Sequence, residues 1–416
     1  MHCYNYWRRG ERPKRTLCSE QVDVHRKTLQ EIIDSGVFHV TLTGGEPLGV
    51  LEQLFSELLA LKQAGIKMSM NTNLALLNTD MIELLRQLSI NSILTSLMSV
   101  DSSLNDELAQ RKGAFRRTVT GIRLAVASGF RVSVNMVVSQ KNFHTIYETG
   151  KLAKELGARA FCATKASKPS NCEDFRAFSL SIQQLGQMFQ ELLRIKGDFG
   201  LEVASLEHYP ACVFPDDDTR TAFGNRNCSA AKTSCSIGFD GGVRPCSHAP
   251  MSYGNVVSEG LNVSWGNMNK WRDGGLVPQI CHQQCGEFPS RCGGGCRIES
   301  LNANMGLAGS DPYCLQTKPV AERKVGIAKL ISPNSQVKLC AQVRFRPEVF
   351  GYIAYRSSTN WMAIDSTLYD LLVVPTSQGR TITVGGITRV YQSSSEDALK
   401  TLSILKSKGI VELVRL

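Results

Sequence analysis

Cysteine is the residue whose number and spacing point first to chemistry. The sequence holds 14 cysteines, and eight of them fall between Cys228 and Cys314. Cys228 is followed by 12 residues, Gly241, four residues and Cys246, with Cys235 inside the pair. Then come Cys281-x3-Cys285-x6-Cys292-x3-Cys296 and, further on, Cys314. Eight thiolates make two sets of four, and four thiolates are what a cubane iron–sulfur cluster takes. Zinc uses similar short spacings in four-cysteine sites, so spacing alone leaves zinc as a rival. A disulfide-stapled segment is a third reading, but nothing in the sequence marks secretion. Glycines 293–295 let the chain turn tightly beside a metal centre that a Cβ would crowd.

Other stretches could hold a small ligand. Thr43-Gly44-Gly45-Glu46-Pro47 directly follows an apolar run. The glycine pair lets backbone approach a ligand, and Glu46 and the local backbone offer hydrogen-bond acceptors. Met1-His2-Cys3-Tyr4-Asn5 places one cysteine about 40 residues earlier. Asn73, Ser96 and Asn135 are polar residues at or near the ends of later apolar runs, and Arg111 opens the loop Arg111-Lys112-Gly113-Ala114-Phe115. Asp101 and Asp106 read as loop or helix-capping residues.

These residues need a frame, and residues 20–195 supply one. Apolar, β-branched runs at Val37–Thr43, Ile66–Asn71, Ser92–Leu97, Arg131–Val138 and Ala158–Ala163 read as strands. Helical patterns lie between them at Leu51–Ala64, Asp80–Leu88, Phe115–Ser128 and Thr145–Leu156. This alternation predicts βαβ units and a parallel sheet, with ligands at the carboxyl ends of the strands. Residues 210–320 are rich in Gly, Cys, Asn and Ser and carry little helical period; bound clusters would supply what an apolar core lacks. Pattern returns near residue 335. Val343–Arg356 predicts two strands with a turn near Gly351, Ala363–Val374 and Glu396–Lys408 predict helices, Gly409 a cap, and Ile410–Leu416 a strand.

At 416 residues, 42% hydrophobic and 20% charged, the chain fits a soluble globular protein of two or three domains. It has no run of 18 apolar residues and no apolar signal region at its N-terminus. We expect a cytoplasmic protein. The net charge of +10 fits either a mildly basic surface or an acidic partner.

The cysteine pattern from Cys228 to Cys246, then Tyr253-Gly-Asn-Val256, then Cys292-Gly-Gly-Gly-Cys296, resembles a SPASM domain, which follows the catalytic core in a subset of radical S-adenosylmethionine (SAM) enzymes. Spacing departs from that pattern by one residue at Cys281–Cys285 and again at Cys285–Cys292. The resemblance implies two auxiliary 4Fe-4S clusters, one on Cys228, Cys235, Cys246 and Cys296, the other on Cys281, Cys285, Cys292 and Cys314. Cys235 is the least secure of the eight. Gly44-Gly45-Glu46-Pro47 resembles the family's loop for the methionyl amine. By the same resemblance Asn73, Ser96, Arg111 and Asn135 would contact the rest of SAM. Cys3 resembles the last ligand of the catalytic C-x3-C-x2-C motif. Its first two cysteines should lie seven and three positions before Cys3, where the sequence has no residues. We expect a misplaced start rather than a genuine remnant, and a third, catalytic cluster only where those cysteines are present.

The resulting expectation is an α/β fold. Residues 1–200 would form a partial (βα)6 TIM-type barrel lacking its first strand, residues 201–324 a cysteine-rich iron–sulfur domain, and residues 325–416 a small winged-helix-like α+β module. That module resembles a peptide-recognition domain akin to the small chaperone of pyrroloquinoline-quinone biosynthesis. The resemblance implies a maturase that modifies a ribosomally made precursor peptide, with a leader peptide and an electron-donor protein such as a flavodoxin or ferredoxin as partners. A catalytically inactive iron–sulfur peptide-binding protein is the alternative. A redox-responsive nucleic-acid binder using Arg344, Arg346, Lys400, Lys406 and Lys408 is the weaker one.

Overall fold

The structure is a computed structural model. It describes residues 17–169, 172, 174–224, 226–288, 292–315, 332–348, 351–357, 360–378, 380–390 and 395–414. Cys3 lies outside them. The chain divides into two compact units, Met1–Ala321 and Glu322–Leu416.

In the first unit six parallel strands stand side by side in chain order: β1 (His39–Leu42), β2 (Lys67–Asn71), β3 (Ser92–Ser96), β4 (Arg131–Val138), β5 (Ala160–Lys165) and β6 (Glu202–Ala204). Every crossover carries helix: α2 (Phe55–Gln63), α3 (Thr79–Gln87), α4 (Ser102–Ala109) with α5 (Ala114–Ala127), α6 (Ile146–Glu155) and α7 (Ile182–Phe199), while α1 (Ser19–Asp34) precedes β1. This is the expected partial barrel of TIM type. α1, α7 and β6 extend the pattern read from the sequence, and β6 lies just past residue 200.

Strand alternation sorts residues onto two faces. Met68, Met70, Ile93, Val132, Val134, Met136, Val138, Phe161 and Ala163 share one face and are buried in the main core. The opposite face, by register, carries Thr41, Ser69, Asn71, Ser96, Ser133 and Asn135. Apart from Asn135, these six remain partly or fully exposed. One side of the sheet is therefore sealed by helices and the other is polar and open.

Asp101 and Asp106 cap as expected. Asp101 accepts from the backbone N–H groups of Ser103 and Leu104, at 2.8 and 2.9 Å. Asp106 accepts from Phe115 N at 2.8 Å and from Gly113 N, tying α4 to the start of α5.

The remainder of this unit is built of short pieces: α8 (Asp217–Phe223), a hairpin of β7 (Ser236–Ile237) and β8 (Val243–Arg244), α9 (Leu261–Gly266), α10 (Gln279–Gln284) and α11 (Arg297–Asn302). Their apolar residues, Val243, Val256, Leu261 and Ile298 among them, join the same core as the sheet.

The second unit has its own core, centred on Val337, Ile364, Leu368, Leu402 and Ile410. It contains two three-stranded sheets. One is β10 (Arg344–Glu348), β11 (Gly351–Ser357) and β12 (Asn360–Ile364); the other is β13 (Ile382–Thr383), β9 (Gln336–Leu339) and β14 (Val411–Val414). Among the described residues three helices accompany them: α12 (Ser366–Ser377), α13 (Val384–Val390) and α14 (Ser395–Ser407). One expectation needs correcting. Ala363 and Ile364 finish β12 instead of opening a helix. Asp365 stops the strand, because its carboxylate accepts from Leu368 N at 2.8 Å and caps α12.

Candidate functional site

The loop after β1 carries Gly44, Gly45, Glu46 and Pro47. Gly44 has φ +116°, a conformation that side chains rarely adopt, and the space a Cβ would fill beside it is open. Glu46 fastens this loop to the end of β2. Its carboxylate accepts from Leu48 N at 3.1 Å, from Asn73 N at 3.0 Å and from the Thr72 hydroxyl. Pro47 opens a single 3-10 turn, Pro47–Gly49, that Glu46 caps. Three donors on one carboxylate make the loop rigid, with Gly44 facing open space.

The other sequence-predicted ligand contacts distribute along the same rim. Asn73 lies just beyond β2, where its side chain accepts from Ala75 N at 2.8 Å. Ser96 ends β3 and pairs in register with Asn135 of β4. Asn135 is held by the Thr164 hydroxyl, which donates to its Oδ1 at 2.9 Å. Thus Ser96 and Asn135 are brought together. Arg111 is exposed in the turn between α4 and α5. Thr41, Ser69 and Ser133, which sequence reading passed over, share the polar face; the hydroxyls of Thr41 and Ser69 are 3.1 Å apart. Period-two alternation could have found them, had the open face been known.

At the end of β5 stands a group that no motif announced. Lys165 is buried, and its ammonium meets Glu299 of α11 at 2.6 Å and Glu207 at 3.1 Å. Burial alone would lower the lysine pKa, but the two carboxylates outweigh it and hold the value well above normal. Burial would likewise raise Glu299, and Lys165 pulls it below the usual carboxylate range. The Ser167 hydroxyl donates to Glu207 at 2.6 Å, and the Lys165 ammonium lies 5.4 Å from the centre of the Tyr313 ring. This triad joins β5 to the helix that begins directly after Cys296.

Two sets of neighbouring thiols occur among the eight cysteines, Cys228 with Cys246 and Cys281 with Cys285, Cys292 and Cys314. Cys246 lies near Cys228, and its thiol is pushed up to about 11 by burial, with Cys228 adding to the shift. Cys235 packs at the edge of the same core, as do Cys228, Cys246 and Cys296. Cys296 caps α11, with its backbone N–H donating to Asp311 at 2.7 Å, and burial drives its thiol well above the ordinary value. In the other group, burial pushes Cys281 up to about 11, with Cys314, Cys292 and Cys285 as its contributing neighbours. Cys292 accepts from Gly294 N at 3.4 Å.

The expected tight turn is present. Gly294 and Gly295 have φ +85° and +78°, and a Cβ on Gly295 would sit 2.5 Å from that of Asp311. Arg297 stitches the region together by donating to the carbonyls of Leu276 at 2.7 Å and Gly309 at 3.2 Å. Among the described residues, no three His, Cys, Asp or Glu side chains converge as a single metal ion requires. Thiols buried beside one another resist ionisation, and a multiply charged iron centre is what offsets that penalty. The donor set therefore fits the clusters expected of it, just as the open space at Gly44 fits a small ligand.

Known proteins bear on this geometry. Relatives include an AdoMet-dependent heme synthase of Methanosarcina barkeri, 24% identical over 70% of this chain and 86% of its own length. The subtilosin biosynthesis protein AlbA of Bacillus subtilis is 26% identical over 73% of this chain, which spans 65% of the AlbA length. Among solved structures, Streptococcus suis SuiB bound to precursor peptide SuiA shares the fold, with TM-score 0.56, 18% identity, and coverage of 76% of this chain and 72% of that one. Among the described residues, no helix is long and apolar enough to cross a membrane. Residues 1–153 match the family model of the Radical SAM superfamily, and the chain carries a radical SAM domain.

Proposed function

We propose that the chain is a radical SAM maturase that modifies a ribosomally made precursor peptide by hydrogen abstraction. The observation that carries this reading is the open polar face of the β1–β6 sheet, topped by the glycine loop in the same compact unit as two cysteine groups. When bound, a catalytic 4Fe-4S cluster on Cys3 and two further cysteines, together with SAM, supplies a 5′-deoxyadenosyl radical. The chain's residues do the rest by placement. Gly44 and Gly45 admit the methionyl end of SAM, and Glu46 keeps their loop fixed against β2. Asn73, Ser96, Arg111 and Asn135 take the remainder of the cofactor, with Asn135 oriented by Thr164. The helix-packed face closes the back of the sheet to water. Cys228, Cys235, Cys246 and Cys296 would hold one auxiliary cluster, and Cys281, Cys292 and Cys314 would supply three thiolates of the other.

The peptide substrate is supported by AlbA's part in subtilosin biosynthesis and by the SuiA peptide bound to SuiB. A leader would dock on residues 325–416 by strand addition. Among the described residues, β10 and β12 each have a strand neighbour on one side only. Pro347 in β10 lacks an N–H, so β12 offers the more complete ladder. A flavodoxin or ferredoxin as electron donor, and a cytoplasmic setting, belong to the same proposal.

The test uses reconstituted protein carrying all three cysteines of the catalytic motif. It is incubated with SAM, a strong reductant and the precursor peptide encoded nearby. Formation of 5′-deoxyadenosine together with a mass change confined to the peptide's core segment is the expected result. Binding of random duplex DNA at physiological salt, with no recognition of any neighbouring peptide, refutes it.

A further inference from the structure

The second auxiliary site holds one thiol more than a cubane needs. Cys212 lies outside the recurring cysteine spacing, on the single 3-10 turn Ala211–Val213 that follows Pro210. Its Sγ accepts from Leu315 N at 3.1 Å and lies 3.9 Å from the carbonyl oxygen of Tyr313. It is therefore clasped by the residues on both sides of Cys314. The Cys212 and Cys314 thiols are hydrogen-bonded to each other, and Cys292 is the next sulfur in electrostatic reach. Cys281 has Cys314, Cys292 and Cys285 as neighbouring thiols.

Five thiols thus compete for four iron corners. Cys285 sits just past the end of α10. Both of the spacings that are one residue too long flank it. We propose that Cys212 is a ligand of the second auxiliary cluster, completing a set with Cys281, Cys292 and Cys314 in place of Cys285. On binding, its S–H proton passes to solvent and an Fe–S bond forms, with no change in the redox state of sulfur. The inference rests on the two-cluster reading above, and it puts one ligand in the segment that leaves the β1–β6 sheet just after β6.

The test is anaerobic reconstitution of the full chain, compared with C212S and C285S. The two auxiliary clusters account for about eight irons, four for each. We expect C212S to lose about four of them while keeping the spectrum of the first cluster, which shows that the variant has folded. C285S should keep the full complement. Alkylation of the reconstituted wild-type protein provides a measurement without substitutions: Cys212 should be protected and Cys285 labelled. A C212S protein with the wild-type iron content and spectrum, or labelling of Cys212 with Cys285 protected, overturns the assignment while leaving the two-cluster reading intact. Wild-type protein that reconstitutes no auxiliary cluster overturns both.

Discussion

Replacing Lys165 by Met tests whether the triad at the end of β5 is held together by charge. The lysine side chain is only 3% exposed, and its partners Glu299 and Glu207 are 11% and 16% exposed. The substitution retains the stem and removes the ammonium, leaving two carboxylates facing each other out of water. Breaking a buried ion pair on one side costs about 3–5 kcal/mol. For a unit of 321 residues, an unfolding entropy of about 2.1 cal/mol/K per residue gives roughly 0.7 kcal/mol/K, so Tm should fall by roughly 4–7 °C. The pH dependence gives a second check. In the wild type Glu299 has a depressed pKa, so its stabilisation is present above the unfolded carboxylate pKa and is lost as pH falls through the folded one. Without Lys165 burial dominates and raises that pKa. The variant then regains stability as its carboxylates protonate, and its deficit should shrink between pH 7 and pH 5. Thermal unfolding across that range, followed by circular dichroism, measures both effects. A Tm within 1 °C of wild type at pH 7, or a deficit that does not change with pH, refutes the reasoning.

Two further substitutions probe the ligand sites. Glu46→Ala removes the acceptor of three hydrogen bonds; at about 1.5–3 kcal/mol for a bond to a charged group, SAM affinity measured by titration calorimetry should drop at least tenfold. Unchanged affinity would show that the loop does not depend on this tether. Gly295→Ala places a Cβ 2.5 Å from that of Asp311 at a φ of +78°; we expect it to displace Cys296 and remove about four irons, whereas full iron content would mean that the turn tolerates a side chain.

The expectations that held share a physical origin. The helices and strands between residues 37 and 165 announce themselves through period and β-branching, which are local properties of the chain. The motifs around Gly44, Glu46 and the cysteines are legible for the same local reason, because a motif is a run of neighbours with fixed chemistry, while their ligand roles belong to the proposal. Helices α1 and α7 are long enough to show a period and were still passed over; the rest of what escaped was either too short to show a period or defined only by partners far away. β6 has three residues, and the last two residues of β12 looked like the beginning of a helix until Asp365 capped the helix proper.

The sequence by itself determined that strands alternate with helices, that eight cysteines recur at short spacings between Cys228 and Cys314, and that a glycine loop follows a strand. Tertiary structure alone decided which face of the sheet stays open, since alternation marks two faces and only the packed helices choose between them. It alone brought Lys165 to Glu299 across 134 positions and Cys212 to Cys314. The reason is that periodicity is written within one turn or one strand, whereas the cost of burying a charge or a thiol is settled by whatever the folded chain places beside it.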